Sequence, residues 1–109
     1  MESLAVTALS ALAHPSRLGV FRLLVRAGPE GLPAGEIAQA IGALPNTTSS
    51  HLNILSAAGL IVARRDGRNI FYAADYERMR AVLSFLVEDC CNGRPEICGG
   101  LQQIAAASC

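Results

Sequence analysis

Lysine is absent from the 109 residues, and no cysteine occurs before position 90. All nine cations are arginine and balance nine acids, so the formal charge is zero and net charge alone does not point to a nucleic-acid partner. No run of eighteen apolar residues occurs, which rules out a membrane-spanning helix by length. The first residues, Met1-Glu2-Ser3-Leu4-Ala5-Val6, lack the basic start and cleavage pattern of a secretory leader. A soluble, cytoplasmic protein with no membrane partner is the expectation. Internal repeats and interdomain linkers are also missing, and 51% hydrophobic residues suffice to build one core without disulfides. A disulfide framework spreads its cysteines to tie distant segments together. Here Cys90, Cys91, Cys98 and Cys109 all fall in the last twenty residues, a clustering that favours metal or redox chemistry.

The apolar pattern is helical over most of the chain. Residues 4–12 form a short helix that is apolar nearly all round and therefore needs covering. His14-Pro15-Ser16 starts a second helix, with Leu18, Phe21, Leu24 and Val25 at helical spacing, and Gly28-Pro29 stops it. Ala34 to Ile41 gives about two turns ended by Gly42. Asn46-Thr47 is expected to cap the next helix, whose inward Leu52 and Leu55 lead to a left-handed stop at Gly59. Two short helices around a tight turn make a helix-turn-helix. Ile61 to Arg65 and Arg68 to Ala73 are β-prone runs flanking Asp66-Gly67, which suits a two-residue hairpin turn, and Asp75 caps a last helix running to about Cys90. The predicted fold is mainly α with a β-hairpin wing: a winged helix-turn-helix.

The helix after the turn begins Asn46-Thr47-Thr48-Ser49-Ser50-His51, a run of short hydrogen-bonding side chains. Short side chains let the helix start approach DNA, where free N–H groups and hydroxyls meet phosphates and base edges. Taken alone, such a run fits helix capping better than DNA reading, and His51 equally well packs or caps locally. The hairpin adds Arg64, Arg65 and Arg68; with Asp66-Gly67 as the turn, Arg65 and Arg68 face each other, a like-charge pair that a phosphate would relieve.

Ser49-Ser50-His51-Leu52-Asn53-Ile54-Leu55-Ser56-Ala57-Ala58-Gly59-Leu60-Ile61, then Arg64-Arg65-Asp66-Gly67-Arg68 and Phe71-Tyr72, closely resemble the S-x-H-L-x-x-L-x-x-A-G-L-V, R-x-G-R and aromatic-pair pattern of ArsR/SmtB repressors. Upstream, Leu12-Ala13-His14-Pro15-Ser16-Arg17-Leu18 is similar to that family's L-x-x-P-x-R-L segment. The resemblance implies a homodimer built from the first and last helices, repression by the unliganded protein at operator DNA with an imperfect palindrome, and release by an inducer. Ser50 stands where many members carry an arginine, a departure at a reading position.

Founding arsenic- and cadmium-sensing members carry a cysteine motif in the first helix of the helix-turn-helix. Leu32-Pro33-Ala34-Gly35-Glu36-Ile37 holds no thiol there. Cys90-Cys91-Asn92-Gly93-Arg94-Pro95-Glu96-Ile97-Cys98 resembles instead the C-terminal site of an arsenic-responsive subgroup. Neighbours on an intact helix diverge by about 100°, so Cys90 and Cys91 converge only where the helix ends, and Asn92-Gly93 and Pro95 supply that end. With Cys98 they make a three-thiolate set suited to As(III), and also to Sb(III), as inducer rather than required cofactor. Zinc or cadmium on Cys90, Cys91, Cys98 and Cys109, or a thiol redox switch, are the competing readings, although the C-x₂₋₄-C spacing of structural zinc sites is missing. Cys109 fits an incidental residue better than a ligand. Residues 1–91 are read as the DNA-binding and dimerisation domain and 92–109 as a cysteine-containing tail. Catalysis is not expected: no cysteine has an arginine six residues later, as phosphatase-type arsenate reductases require, and no spare catalytic pair lies near the tail.

Overall fold

The computed structural model describes residues 2–87. Eight elements follow in order: α1 (Glu2–Leu12), α2 (Pro15–Ala27), β1 (Leu32–Pro33), α3 (Ala34–Ile41), α4 (Pro45–Ala57), β2 (Ile61–Asp66), β3 (Asn69–Ala74) and α5 (Tyr76–Val87). This is the expected mainly α, winged helix-turn-helix arrangement. The cysteine tail and the end of the predicted last helix lie outside the described residues. No single helix among the described residues is long and apolar enough to cross a membrane.

Local chemistry explains most element ends. His14 caps α2 by accepting the Ser16 N–H on Nδ1 at 3.1 Å, and Pro15 sits in the first turn where its missing N–H costs nothing. Gly42 ends α3 in the left-handed conformation. α4 ends in a Schellman turn: Leu60 N–H donates to Leu55 O at 3.1 Å, Gly59 N–H to Ser56 O at 3.0 Å, and Gly59 supplies the positive φ of 77°. The start of α4 departs from expectation. Its cap is Leu44, with Pro45 in the first turn, so Asn46 and Thr47 already lie inside the helix.

The core gathers one face of each helix. Leu24, Ile37 and Leu55 are fully enclosed and Leu52 is 1% exposed, which joins α2, α3 and α4 at one apolar junction. α1 contributes only Ala5, Ala8 and Ala11 to this core, at a spacing that stacks small side chains on one face, while Leu4, Val6 and Leu9 point outward. Arg17 fastens α1 to α2 by donating Nε to Ala11 O at 2.6 Å.

The sheet has three strands in the order β1-β3-β2, all antiparallel. The two-residue β1, not expected from the sequence, pairs Leu32 with Tyr72 and Pro33 with Phe71. The hairpin register is one residue off the predicted one: Arg65 pairs with Ile70 and Asp66 with Asn69, which leaves Gly67 and Arg68 as the turn. Arg65 and Arg68 therefore do not face each other, and no anion is needed between them to relieve a like-charge pair.

Gly31 (φ 73°) lets the chain enter β1 hard against β3. A Cβ on it would lie 2.3 Å from Tyr72 O, whereas one on Gly67 (φ 64°) would meet nothing within 4 Å. Gly67→Ala is expected to cost about 1–2 kcal/mol, the ordinary penalty of a left-handed alanine, and Gly31→Ala clearly more. Urea denaturation of both variants checks this; equal losses would remove the Tyr72 clash as a constraint.

Candidate nucleic-acid interface

α4 is a thirteen-residue helix with two unlike faces. Thr48, His51, Leu52 and Leu55 are buried; Asn46, Ser49, Ser50 and Asn53 are exposed and recur at i, i+3, i+4 and i+7, one polar stripe along the helix. Thr47 is exposed beside it. The free N–H groups of the first turn open on the same helix start, where an anion is favoured.

Two residues of the predicted reading set are thereby corrected. Thr48 is 1% exposed, and its hydroxyl donates to Leu44 O at 3.0 Å, so its side chain serves the helix start instead of reaching outward. His51 is 7% exposed and lies against His14, ring centroids 4.9 Å apart at 50°. Its Nδ1 is buried with no hydrogen-bond partner. Asn53, absent from the predicted set, belongs to the outward stripe; helical periodicity from Asn46 was the signal for it.

The wing divides its arginines. Arg64 donates Nη2 to Glu30 O at 3.0 Å, lies 3.8 Å from the Asp66 carboxylate and stands over the Phe71 ring at 5.1 Å, so it ties the wing to the loop before β1. Arg65 and Arg68 are exposed at the strand end and the turn. Because α4 packs on β2, the polar stripe and these two cations belong to one continuous unit, able to meet base edges with the helix and phosphates with the wing. Among the described residues no group of three or more His, Cys, Asp or Glu is placed to hold a metal ion. Cys90, Cys91, Cys98 and Cys109 lie outside them.

A short polar-faced helix behind a helix-turn and ahead of a hairpin defines a winged helix-turn-helix regulator. Residues 12–64 match the family model described as a helix-turn-helix domain. The HTH-type transcriptional regulator YgaV of Escherichia coli (strain K12) is 34% identical over 82 residues, which cover 75% of this chain and 81% of that protein. Among solved structures, NolR from Sinorhizobium fredii superposes with a TM-score of 0.64 at 32% identity, covering 80% of this chain and 84% of that one. The homodimeric winged helix-turn-helix DNA-binding domain of Mb0332 from Mycobacterium bovis, a possible ArsR-family regulator, gives 0.64 at 26% identity, covering 84% and 85%. The chain belongs to the ArsR/SmtB family of winged helix-turn-helix transcriptional regulators. The curated relatives YgaV, NmtR and KmtR are each named HTH-type transcriptional regulators.

Burial lowers the pKa of His51 below the ordinary histidine value, and the neighbouring His14 and Arg17 lower it further. The unfolded chain then takes up a proton near pH 6.5 that the folded chain accepts only at lower pH. More protons bind to the unfolded state in that window, so this part of the stability is complete above about pH 6.5 and is lost as pH falls below it. Denaturation curves at pH 7.5 and 5.5 should show the loss, and His51→Leu should shrink it; an undiminished loss in that variant would assign the effect to other groups.

Proposed function

We propose that the chain is a homodimeric repressor that binds an imperfectly palindromic operator through α4 and the wing and leaves it when As(III), or Sb(III), binds the thiolates of Cys90, Cys91 and Cys98. The observation that carries the DNA half is the exposed stripe Asn46, Ser49, Ser50 and Asn53 on a helix whose other face is locked in the core, with Arg65 and Arg68 exposed on the adjoining wing. Thr47 completes the helix start. A two-fold dimer sets two such helices about one turn of DNA apart, roughly 34–36 Å. Dimerisation is supported by Leu4, Val6 and Leu9 of α1 and Leu86 of α5, all between 43% and 59% exposed, on two helices that pack on each other. YgaV is an HTH-type transcriptional regulator, NolR shares the fold, and the Mb0332 winged helix-turn-helix DNA-binding domain is described as homodimeric.

Family membership supports the broader sensing statement, a repressor that responds to a metal or a thiol redox change. As(III) is the narrower reading, and it rests on the chemistry of three thiols near a helix-breaking Asn92-Gly93 and Pro95. Zinc or cadmium on all four cysteines, or thiol oxidation, is the alternative that the same membership supports, and Cys109 supplies the fourth ligand a tetrahedral ion would need. In every version the inducer acts by binding the DNA-free state more tightly; moving the equilibrium from 1:99 to 99:1 takes about a 10⁴-fold difference in affinity.

Fluorescence anisotropy of the reduced protein on its own promoter DNA decides between these. Release by arsenite and antimonite alone, abolished in Cys90→Ser, Cys91→Ser and Cys98→Ser, is the expected result; release by zinc or cadmium, or by oxidant, transfers the assignment to the alternative. For the DNA half, replacing Arg65 and Arg68 together by alanine should weaken binding and lower the slope of log affinity against log salt by about 3–4 per dimer, near 0.9 per phosphate contact. An unchanged slope would take both arginines off the DNA.

A further inference from the structure

The far end of α4 is held by α5. A Cβ on Gly59 would lie 2.6 Å from Arg78 Nη1 and 2.8 Å from its Cζ, so the guanidinium occupies the space where a side chain would otherwise stand. Arg78 Nη1 also donates to Ala58 O at 3.4 Å, at the end of a helix whose last carbonyls attract a cation. Arg78 is itself fixed: its backbone N–H donates to Asp75 Oδ1 at 3.1 Å, and the Asp75 N–H donates to Leu60 O at 2.8 Å. One residue from Asp75, the Tyr76 hydroxyl donates to Val25 O at 3.1 Å. The start of α5 is thus fastened to the end of α2, the end of α4 and the chain leading into β2.

We propose that Arg78 is a positioning residue for DNA reading: it fixes the angle at which α4 presents its first turns and touches no DNA itself. The proposal rests on α4 being the reading helix. Thirteen residues at about 1.5 Å each place Arg78 roughly 20 Å from the N-terminal turn. A tilt of about 5° at the clamped end moves the other end of a helix that long by nearly 2 Å. A hydrogen bond to a base edge works only within a few tenths of an ångström of about 2.9 Å, so even this small tilt breaks such contacts while leaving the helix intact. Glycine at position 59 is required by its positive φ of 77°, and a Cβ there would in addition push the Arg78 guanidinium away from Ala58 O.

The test uses the full chain and its promoter DNA, comparing wild type with Arg78→Met, which keeps the stem and removes the guanidinium. Expected is at least a tenfold loss of affinity with an unchanged salt slope, alongside a Tm lower by only a few degrees. Wild-type affinity in a protein of lower Tm would reduce Arg78 to a helix cap and overturn the proposal. A slope smaller by about 2 per dimer would make Arg78 a phosphate contact and overturn it as well. Should Arg78→Met fail to fold, Arg78→Gln, which removes both the charge and the fork of donors, is measured in the same way: lost affinity at an unchanged slope supports the proposal, and wild-type affinity or a smaller slope overturns it. Failure of the wild type to bind DNA would strike the underlying reading, and is seen before any variant is made.

Discussion

One apolar junction sets the geometry on which everything outward depends. Leu24 of α2, Ile37 of α3 and Leu52 and Leu55 of α4 meet with almost no exposure. Interiors packed at crystal-like density transmit strain and resist small rotations. Because the inward face of α4 is committed there, its rotation about its own axis is fixed, and which of its residues face a partner follows from helical period. That constraint separates Thr48 from Thr47 and His51 from Ser50, although by chemistry each pair looks alike.

The same constraint explains what could be read from the sequence and what could not. Helix ends were legible wherever a residue has one dominant physical use: Pro15 after His14, Gly42 and Gly59 at positive φ. The start of α4 was not, because Asn46 and Thr47 have the side chains of a cap while Pro45, one residue earlier, already has the backbone of a first turn. β1 was illegible because two residues, one of them a proline, carry no strand pattern; its existence depends on Gly31 bringing the chain against Tyr72. The hairpin was found but its register slipped, since Asp66-Gly67 is a good turn dipeptide and only the ladder ending at Asp66 and Asn69 shows that the turn lies one residue on. The cysteine tail stays a matter of sequence chemistry.

Arginine has a second use in this molecule beyond charge. Arg17, Arg64 and Arg78 each donate to a backbone carbonyl, of Ala11, Glu30 and Ala58, and each joins two segments distant in the fold or at a bend. A planar fork of donors with no acceptor suits that task, and a lysine ammonium would hold it less firmly. Counting arginines near a wing therefore overstates the cations available to a phosphate backbone: of the three predicted there, Arg64 is bound to the protein's own chain.

The first helix is built inside out for a solitary protomer. Its buried residues are three alanines, Leu12 at its end is half-buried, and Leu4, Val6 and Leu9 lie on the outside. Such a helix gains little from docking on its own chain and much from whatever covers it, since each large apolar side chain removed from water is worth about 1.5–3 kcal/mol and an alanine far less. If a second copy provides that cover, mass action enters the folding equilibrium, and the protein's own concentration becomes a stabilising ligand: dilution alone would lower the melting temperature.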